Sequence, residues 1–430
     1  MASDGLAPRL LAYDVLRAVD AEDAYANLEL ARRLRTAGLP PRDAALSTEL
    51  VGGTLRLRGA YDAVIDQLAR GAVEPPVRDA LRLGAHQLLS TRVSTHAAVS
   101  TTVSLVRRRV GHRPTGLVNA VLRKVAGRPL DDWLAGASLD VRFSHPAWVV
   151  EALAEALDRP AELEPLLAAD NERPAVTLVA RPGRCEVEEL GGTPTLSPIG
   201  RALDGGDPAA VPAVREGRAG VQDAGSQLVA LALTRAAVPD DRRWLDLCAG
   251  PGGKAALLAA VADQRGVGFW ANERQPHRAE LVARLVPGRV LCADGTRPAW
   301  PDSSFDRVLV DAPCTGLGAL RRRPEARWRR RPDDVAGLVD LQRRLLGAAL
   351  DSARPGGVVG YATCSPVKAE TADVVRAVLA ERTGAALEDA TALLPEAKDA
   401  ESAHLSGALQ LWPHRHRTDA MFLALLRRTR

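Results

Sequence analysis

The sequence predicts a multidomain protein with an all-helical N-terminal domain, a small α+β subdomain and a C-terminal α/β domain built on a parallel, doubly wound sheet. From about residue 8 to residue 128, apolar residues recur at spacings of three and four, the period of helices with one buried face. From about residue 243, strand-like runs alternate with helical segments, which is typical of a doubly wound sheet. We therefore divide the chain into residues 1–135, 136–228 and 229–430.

Composition limits the class of protein. The 430 residues are 46% hydrophobic and 26% charged, as in ordinary globular proteins. No apolar run approaches the roughly 18 residues that cross a bilayer, and the start, MASDGLAPRL, lacks the layout of a signal peptide. We expect a cytoplasmic protein with no membrane partner. Its five scattered cysteines include no CxxC pair, so we expect neither a disulfide framework nor a metal site.

The N-terminal segment contains at least five helical stretches, among them NLELARRLRTAG, VRDALRLGAHQLLS and TGLVNAVLRKVAG. Arginines and lysines cluster in the RRR of residues 107–109, the LRKVAGR of residues 122–128 and the RRRPEARWRRR of residues 321–331. Such clusters fit a polyanionic partner, and for each of them a solvated helix face is an equal alternative.

Four features at strand ends suggest a ligand site in the C-terminal domain. After the strand-like WLDL, the chain turns through a glycine-rich segment into a helix near Lys254. The turn consists of Cys248, Ala249, Gly250, Pro251, Gly252 and Gly253. Glycines there allow backbone to approach a ligand, and acidic residues at the ends of the next three strands, Glu273, Asp294 and Asp311, converge on the same crevice. The turn matches neither GxxxxGK[ST] nor GxGxxG, which argues against a phosphate-rich ligand.

Lys254 falls in the first turn of its helix, where a cation opposes the helix dipole. Stability alone therefore explains it poorly, although a solvated lysine is the alternative.

Two cysteines, Cys314 in DAPCTGLG and Cys364 in YATCSP, follow adjacent strands and are predicted to face the same crevice. Buried core cysteines are the usual alternative, but the chain is turning at both positions. Two thiols beside a ligand site suggest nucleophilic chemistry. Composition and spacing do not assign a role to either thiol.

These motifs resemble a known family. LDLCAGPGGK, DAPCTGLG with RRRPEARW, YATCSPVKAET and LQLWPHRHRTDAMF are similar to the RNA 5-methylcytosine methyltransferases that use S-adenosylmethionine, and within them to the bacterial Sun/Fmu (RsmB-type) group. STELVGGTLR, LRLGAHQLL and GLVNAVLRK resemble the NusB-like RNA-binding domain of that group. The resemblance covers nearly the whole chain and implies a Rossmann-like class I methyltransferase domain.

The resemblance also implies roles for single residues. Cys364 is expected to add to C6 of the cytosine and Cys314 to help release the product. Asp311 is expected to bind the cytosine edge around N3 and N4 and to border the cofactor, or else to be a strand-end turn carboxylate. Residues 248–254, ending in Lys254, which we count as catalytic too, would surround the methionine part of the cofactor. Glu273 would bind its ribose, Asp294 would lie near its adenine, and Asp246 would orient the turn or the methionyl amine.

The implied partner is small-subunit ribosomal RNA, bound by a monomer. The arginine run at 321–331 is expected to line the entrance of the site, with Trp328 as a stacking surface or a core residue. Thr371 replaces an asparagine usual after Glu370 in the family, and we expect a structural role for His414 and His416. Two alternatives stay open: a tRNA 5-methylcytosine enzyme and a non-catalytic RNA-binding or ribosome assembly factor. Both thiols argue against the latter.

Overall fold

The computed structural model describes residues 5–430, and the chain forms two compact units. The first unit runs to residue 151 and also includes residues 167–173 and 320–329. The second contains residues 152–166, 174–319 and 330–430. The predicted three-part division at residues 135 and 228 stays a prediction.

The first unit is helical, as predicted. Its first nine helices are α1 (Leu6–Ala21), α2 (Ala26–Ala37), α3 (Pro41–Arg56), α4 (Arg58–Leu68), α5 (Pro75–Ser90), α6 (Thr95–Arg109), α7 (Thr115–Val125), α8 (Leu130–Trp133) and α9 (Leu139–Arg142). Seven of them cover the stretch for which at least five were predicted. The helices α10 (Ala147–Ala156) and α11 (Leu163–Ala169) follow along the chain.

Close packing of α5 against α7 explains one of the motifs. The glycine in LRLGAHQLL, Gly84, faces Leu122 of α7, and a Cβ at Gly84 would lie 2.6 Å from Leu122 Cδ1. Leu81 and Leu122 are fully buried in the same apolar core. A larger residue at Gly84 would therefore push the two helices apart.

The second unit contains the remaining strands and helices except α16. Its strands are β1 (Thr177–Ala180), β2 (Thr193–Pro194), β3 (Gly200–Ala202), β4 (Ala219–Val221), β5 (Arg243–Asp246), β6 (Gly268–Asn272), β7 (Val290–Leu291), β8 (Phe305–Asp311), β9 (Ala353–Thr363), β10 (Ala385–Glu388), β11 (Glu401–Ser402), β12 (Leu405–Gln410) and β13 (Phe422–Arg428). The later helices of the chain are α12 (Pro212–Arg215), α13 (Ala224–Arg235), α14 (Gly253–Arg265), α15 (Pro276–Leu285), α16 (Ala326–Arg329), α17 (Pro332–Ser352), α18 (Ala372–Glu381) and α19 (Pro413–His416).

Two sheets organise this unit. Strands β1–β4 form a small antiparallel sheet in the order β2-β3-β1-β4, and the others form a nine-stranded sheet. In the large sheet β7, β6, β5, β8 and β9 are successive parallel neighbours. The connections run outward in both directions from β5 and β8, so the topological switch point lies between these two strands. Ligands of doubly wound sheets bind at that point, beyond the carboxyl ends of the strands.

The sheet is not parallel throughout, which corrects the expectation. Strand β13 is antiparallel to β9, β10 and β12, and β11 is antiparallel to β12. Parallel neighbours in sequence need a crossover, whereas the connection at residues 411–421 returns β13 directly beside β12. Across residues 5–430, no helix combines the length and apolar character needed to cross a membrane.

The arginine run at 321–331 is only partly exposed, contrary to its expected place at an entrance. Arg327 is fully buried in the first unit. Its guanidinium donates to the backbone oxygen of Ser144 at 2.9 Å and to Asn171 Oδ1 at 2.8 Å. Trp328 packs on Gly59 of α4, where an added Cβ would lie 2.6 Å from the indole ring. Oxygen acceptors inside the helical unit therefore hold Arg327, and burial lowers its pKa to about 10.

Replacing Arg327 should destabilise the protein. Arg327→Ala leaves buried oxygens without donors and opens a cavity, so we expect the free energy of unfolding to fall by about 3 kcal/mol or more. Urea unfolding followed by far-UV circular dichroism measures this. Arg323→Ala, at an exposed position of the same run, should change it by at most about 0.5 kcal/mol. Equal stability of Arg327→Ala and the wild type would contradict the role of these hydrogen bonds.

Candidate active site

A glycine turn connects β5 to α14 at the switch point. Gly252 has φ of 113°, a left-handed conformation that glycine adopts without strain. Gly250 lies so close to Glu273 that a Cβ at Gly250 would be 2.2 Å from Glu273 Oε2. Ala249 N–H donates to Asn272 O at 2.9 Å, and Cys248 is half-buried against the apolar core. The turn therefore needs glycine for both conformation and space.

Glu273, directly after β6, holds the turn. Its Oε2 accepts the N–H of Gly250 at 3.1 Å and its Oε1 accepts the N–H of Gln275 at 2.9 Å. The residue is 5% exposed, and Arg278 Nε lies 3.7 Å from Oε2. A carboxylate has room for about four donors, so Oε1 of Glu273 in particular retains capacity for a ligand hydroxyl.

Asn272 is a buried residue of this site that the sequence did not single out. Its amide donates to Leu247 O at 3.0 Å and to Ala293 O at 3.1 Å. One side chain thus ties the segments that follow β5 and β7. The sequence shows that Asn272 ends a strand-like run. It does not show the hydrogen bonds, because Leu247 and Ala293 lie far from Asn272 along the chain.

Asp294 lies beyond the end of β7, because that strand ends at Leu291 and not at the predicted position. Asp294 Oδ1 accepts from the backbone N–H of Thr296 at 3.0 Å and from its hydroxyl at 2.8 Å. The backbone hydrogen bond from Thr296 contributes most to holding the pKa of Asp294 below its usual value. The carboxylate therefore closes a local turn next to the strand end.

Lys254 is buried and paired with Asp311, so the alternative of a solvated lysine is wrong. Its Nζ lies 2.9 Å from Asp311 Oδ2, and 9% of the residue is exposed. Burial lowers the pKa of Lys254, but the charge and hydrogen bond of Asp311, together with the charges of Cys364 and Asp246, outweigh burial and the pKa is raised. A negative charge on Cys364 also raises the pKa of Lys254, so this cation and a Cys364 thiolate attract each other.

Asp246, the last residue of β5, is fully buried, and neither of its carboxyl oxygens accepts a well-formed hydrogen bond, although the backbone N–H of Cys248 lies close enough to act on its pKa. Burial, together with the charge of Asp311, raises the pKa of Asp246 to about 8, and Lys254 offsets only part of this rise. A buried carboxyl group without a partner is costly. It is available for a ligand that carries donors or a positive charge.

The two cysteines meet beyond the carboxyl ends of β8 and β9. Cys314 Sγ and Cys364 Sγ are 3.5 Å apart, and both side chains are partly exposed. The side-chain hydrogen bond with Cys364, then burial, raises the pKa of Cys314 well above its usual value. Cys314 therefore keeps its proton more readily than an ordinary cysteine and can donate it toward the Cys364 sulfur.

Backbone hydrogen bonds fix the loops that carry these cysteines. Gly318 N–H donates to Cys364 O at 2.9 Å, and Ala420 N–H donates to Gly318 O at 2.8 Å. A Cβ at Gly318 would lie 2.1 Å from Ala420 O, which leaves no space for a side chain. The last glycine of DAPCTGLG is thus required by the close approach of three backbone segments.

Other residues singled out from the sequence have structural contacts. Asp223 caps α13 by accepting the N–H of Gly225 at 2.9 Å. The ring of His414 pairs with Glu162 at 2.7 Å, and His416 Nδ1 accepts the N–H of Trp412 at 2.9 Å.

Comparisons with known proteins agree with this architecture. Residues 232–427 match the family model described as 16S rRNA methyltransferase RsmB/F, and residues 6–127 match the NusB family. A putative methyltransferase of Mycobacterium tuberculosis strain CDC 1551 is 51% identical over 98% of this chain and 96% of its own length. The ribosomal RNA small subunit methyltransferase B of Vibrio cholerae is 32% identical over 96% of this chain and 97% of its own.

The crystal structure of PH0851 has the same fold, with a TM-score of 0.80 at 22% identity, covering 100% of this chain and 99% of that one. The fold resemblance extends over both units, and the sequence relatives cover nearly the full chain. The chain therefore belongs to the RsmB/F family of 16S rRNA methyltransferases, enzymes that use S-adenosylmethionine as their cofactor, and carries a NusB-family domain at its N-terminus.

Proposed function

We propose that the protein transfers a methyl group from S-adenosylmethionine to C5 of a cytidine in small-subunit ribosomal RNA, by covalent addition of Cys364 to C6 of the base. The observation that carries this proposal is the pair of thiols 3.5 Å apart, beside the Lys254–Asp311 ion pair. The Vibrio cholerae relative is named as a ribosomal RNA small subunit methyltransferase, which supports ribosomal RNA as the substrate.

The switch point fits the cofactor. Its methionine part would lie against residues 248–254, with the unpartnered Asp246 carboxyl group facing its ammonium group. Glu273 would bind the ribose hydroxyls and Asp294 would lie beside the adenine. When bound, the cofactor supplies an electrophilic methyl group on a positively charged sulfur.

The protein's own groups activate the base. C5 of cytosine is a weak nucleophile. It becomes a stronger nucleophile when the Cys364 thiolate forms a bond to C6. The electron pair of the C5–C6 double bond moves toward N3, and C5 then acts as an enamine carbon that can take the methyl group. Lys254 attracts the Cys364 thiolate, and Asp311 would bind the N3 and N4 edge of the base, where charge develops.

Product release reverses the addition. Once the C5 proton has passed to a base such as solvent water, the electrons of the C5–H bond re-form the C5–C6 double bond, and the bond between C6 and the Cys364 sulfur breaks with its electron pair leaving on sulfur. Cys314 would stabilise the leaving thiolate by donating its S–H, because its own raised pKa keeps it protonated.

The target cytosine must leave the stack of neighbouring bases in the RNA before it can enter the active site. Arginines and a lysine at the ends of two helices of the NusB-family domain are exposed and would contact flanking phosphates: Arg107, Arg108, Arg123 and Lys124. Such contacts make affinity fall as salt rises. The monomeric state and the cytoplasmic location stay predictions.

Bisulfite sequencing of small-subunit ribosomal RNA tests the substrate. A strain without the gene should lose one protected cytosine. The wild-type gene and Cys292→Ala, at an exposed cysteine, should restore it, whereas Cys364→Ala should not. Unchanged ribosomal RNA would contradict the proposed target, and the same comparison on tRNA would then identify that alternative substrate.

Replacing either cysteine should impair methylation in vitro, but at a different step of the reaction. Cys364→Ala should lower kcat by about 10³-fold or more, because no group then adds to C6. Cys314→Ala should accumulate an RNA–protein adduct that survives denaturing electrophoresis, because release is slowed. Methylation assays with labelled cofactor and RNA transcripts measure both. An adduct in Cys364→Ala, or normal turnover in either variant, would contradict the assigned roles.

Cofactor binding should release a proton from Asp246. With a pKa of about 8, this carboxyl group is mostly protonated at pH 7, and an ammonium group beside it would lower that pKa and expel the proton. Calorimetry in buffers with different ionisation enthalpies counts the protons. We expect release of close to one proton in the wild type and markedly less in Asp246→Asn. Identical proton release in both proteins would exclude Asp246 as the partner of the ammonium group.

A further inference from the structure

One buried carboxylate connects the residues that follow the two cysteines. Glu370 is fully buried, in the turn between β9 and α18. Its Oε2 accepts the hydroxyls of Thr315 at 2.5 Å and Ser365 at 2.6 Å. Thr315 comes directly after Cys314, and Ser365 directly after Cys364. A single side chain therefore ties both cysteine loops together.

The second carboxylate oxygen strengthens this connection. Oε1 of Glu370 accepts the backbone N–H of Thr315 at 2.8 Å and the amide of Gln342 at 3.1 Å. The same Gln342 amide donates to Pro313 O at 2.9 Å, on the other side of Cys314. The backbone is thus fixed immediately before and after this cysteine.

Four hydrogen-bond donors surround the carboxyl group of Glu370. Four donated hydrogen bonds match the four lone-pair sites of the charged group, whereas a protonated carboxyl group would itself have to donate. Hydrogen bonds to a buried charge are strong, and losing them leaves donors unsatisfied. The hydrogen bond with Cys364 and burial are the main causes of the raised pKa of Cys314, and the negative charge of Glu370 adds to them.

We propose that Glu370 is a positioning residue that holds Cys314 and Cys364 at the separation and orientation required for addition and release. This inference rests on the proposed function for its catalytic consequence. It assigns Glu370 no contact with RNA or cofactor. Its effect reaches the reaction through Thr315 and Ser365, which directly follow Cys314 and Cys364 in the chain.

The kinetic experiment compares full-length variants. Glu370→Gln has one acceptor oxygen in place of two, so at least two of the four donors lose their partner. We expect kcat to fall about 100-fold at saturating cofactor, while the Kd for S-adenosylmethionine stays within about threefold. The assay uses a transcript of small-subunit ribosomal RNA, and calorimetry gives the Kd.

Substitutions at Thr315 provide a milder pair. Thr315→Val removes the hydroxyl at nearly constant volume and should lower kcat about tenfold. Thr315→Ser keeps the hydroxyl and should remain within about threefold of the wild type. This pair tests the same connection even if Glu370→Gln does not fold. Equal kcat for Thr315→Val and Thr315→Ser, or a parallel loss of cofactor affinity and kcat, would overturn the positioning role.

Thiol reactivity tests Glu370 without RNA. Iodoacetamide labelling, quantified by peptide mass spectrometry, gives the rates for Cys314 and Cys364 relative to the exposed Cys292. Glu370→Gln and Thr315→Val should change at least one of these ratios about fivefold, and Thr315→Ser should change neither. Unchanged ratios in both disruptive variants would refute positioning. An inactive wild type would refute the proposed methylation, and the labelling ratios would still decide whether Glu370 positions the thiols.

Discussion

The parallel pairing of β8 with β9 is the constraint on which the site depends. Asp311 lies beside Ala362 in register, and Ala312 N–H donates to Ala362 O at 2.8 Å. Parallel strands end at the same edge of a sheet, so the loops that follow them emerge together. The hydrogen bond from Gly318 N–H to Cys364 O continues this pairing beyond the strands. A register change would therefore separate Cys314 from Cys364.

Charge at the switch point is the reason for proposing that the site binds a cationic ligand. Burial, and then the charges of Asp311 and Glu273, raise the pKa of Asp246, and Lys254 compensates only part of this effect. Keeping carboxyl groups together in a buried crevice costs stability unless a partner arrives. The proposed cofactor carries an ammonium group and a positively charged sulfur. Its binding would stabilise the ionised form of Asp246, which the free protein disfavours, and this links the cofactor to the stability of the site.

The sequence predicted the parts of the site that depend on strand ends. A glycine turn, acids after successive strands and cysteines after β8 and β9 are visible from spacing alone, because parallel topology brings strand ends together. Asn272 and Glu370 escaped prediction because their roles come from partners such as Ala293 and Thr315, which only the folded chain brings near. Burial of Arg327 was missed for the same reason. A run of charged residues predicts a solvent-exposed segment, and only the folded chain shows the buried oxygens that accept hydrogen bonds from Arg327.

Trapping the covalent intermediate tests the central claim most directly. RNA that contains 5-fluorocytidine cannot lose a proton from C5 after methyl transfer, so the bond between C6 and the enzyme should persist. Wild-type protein, cofactor and this RNA would be digested and the RNA-linked peptide identified by tandem mass spectrometry. We expect the RNA to be attached at Cys364 within YATCSP. Attachment at Cys314, or methyl transfer to C5 of unmodified RNA without any trapped adduct, would contradict it.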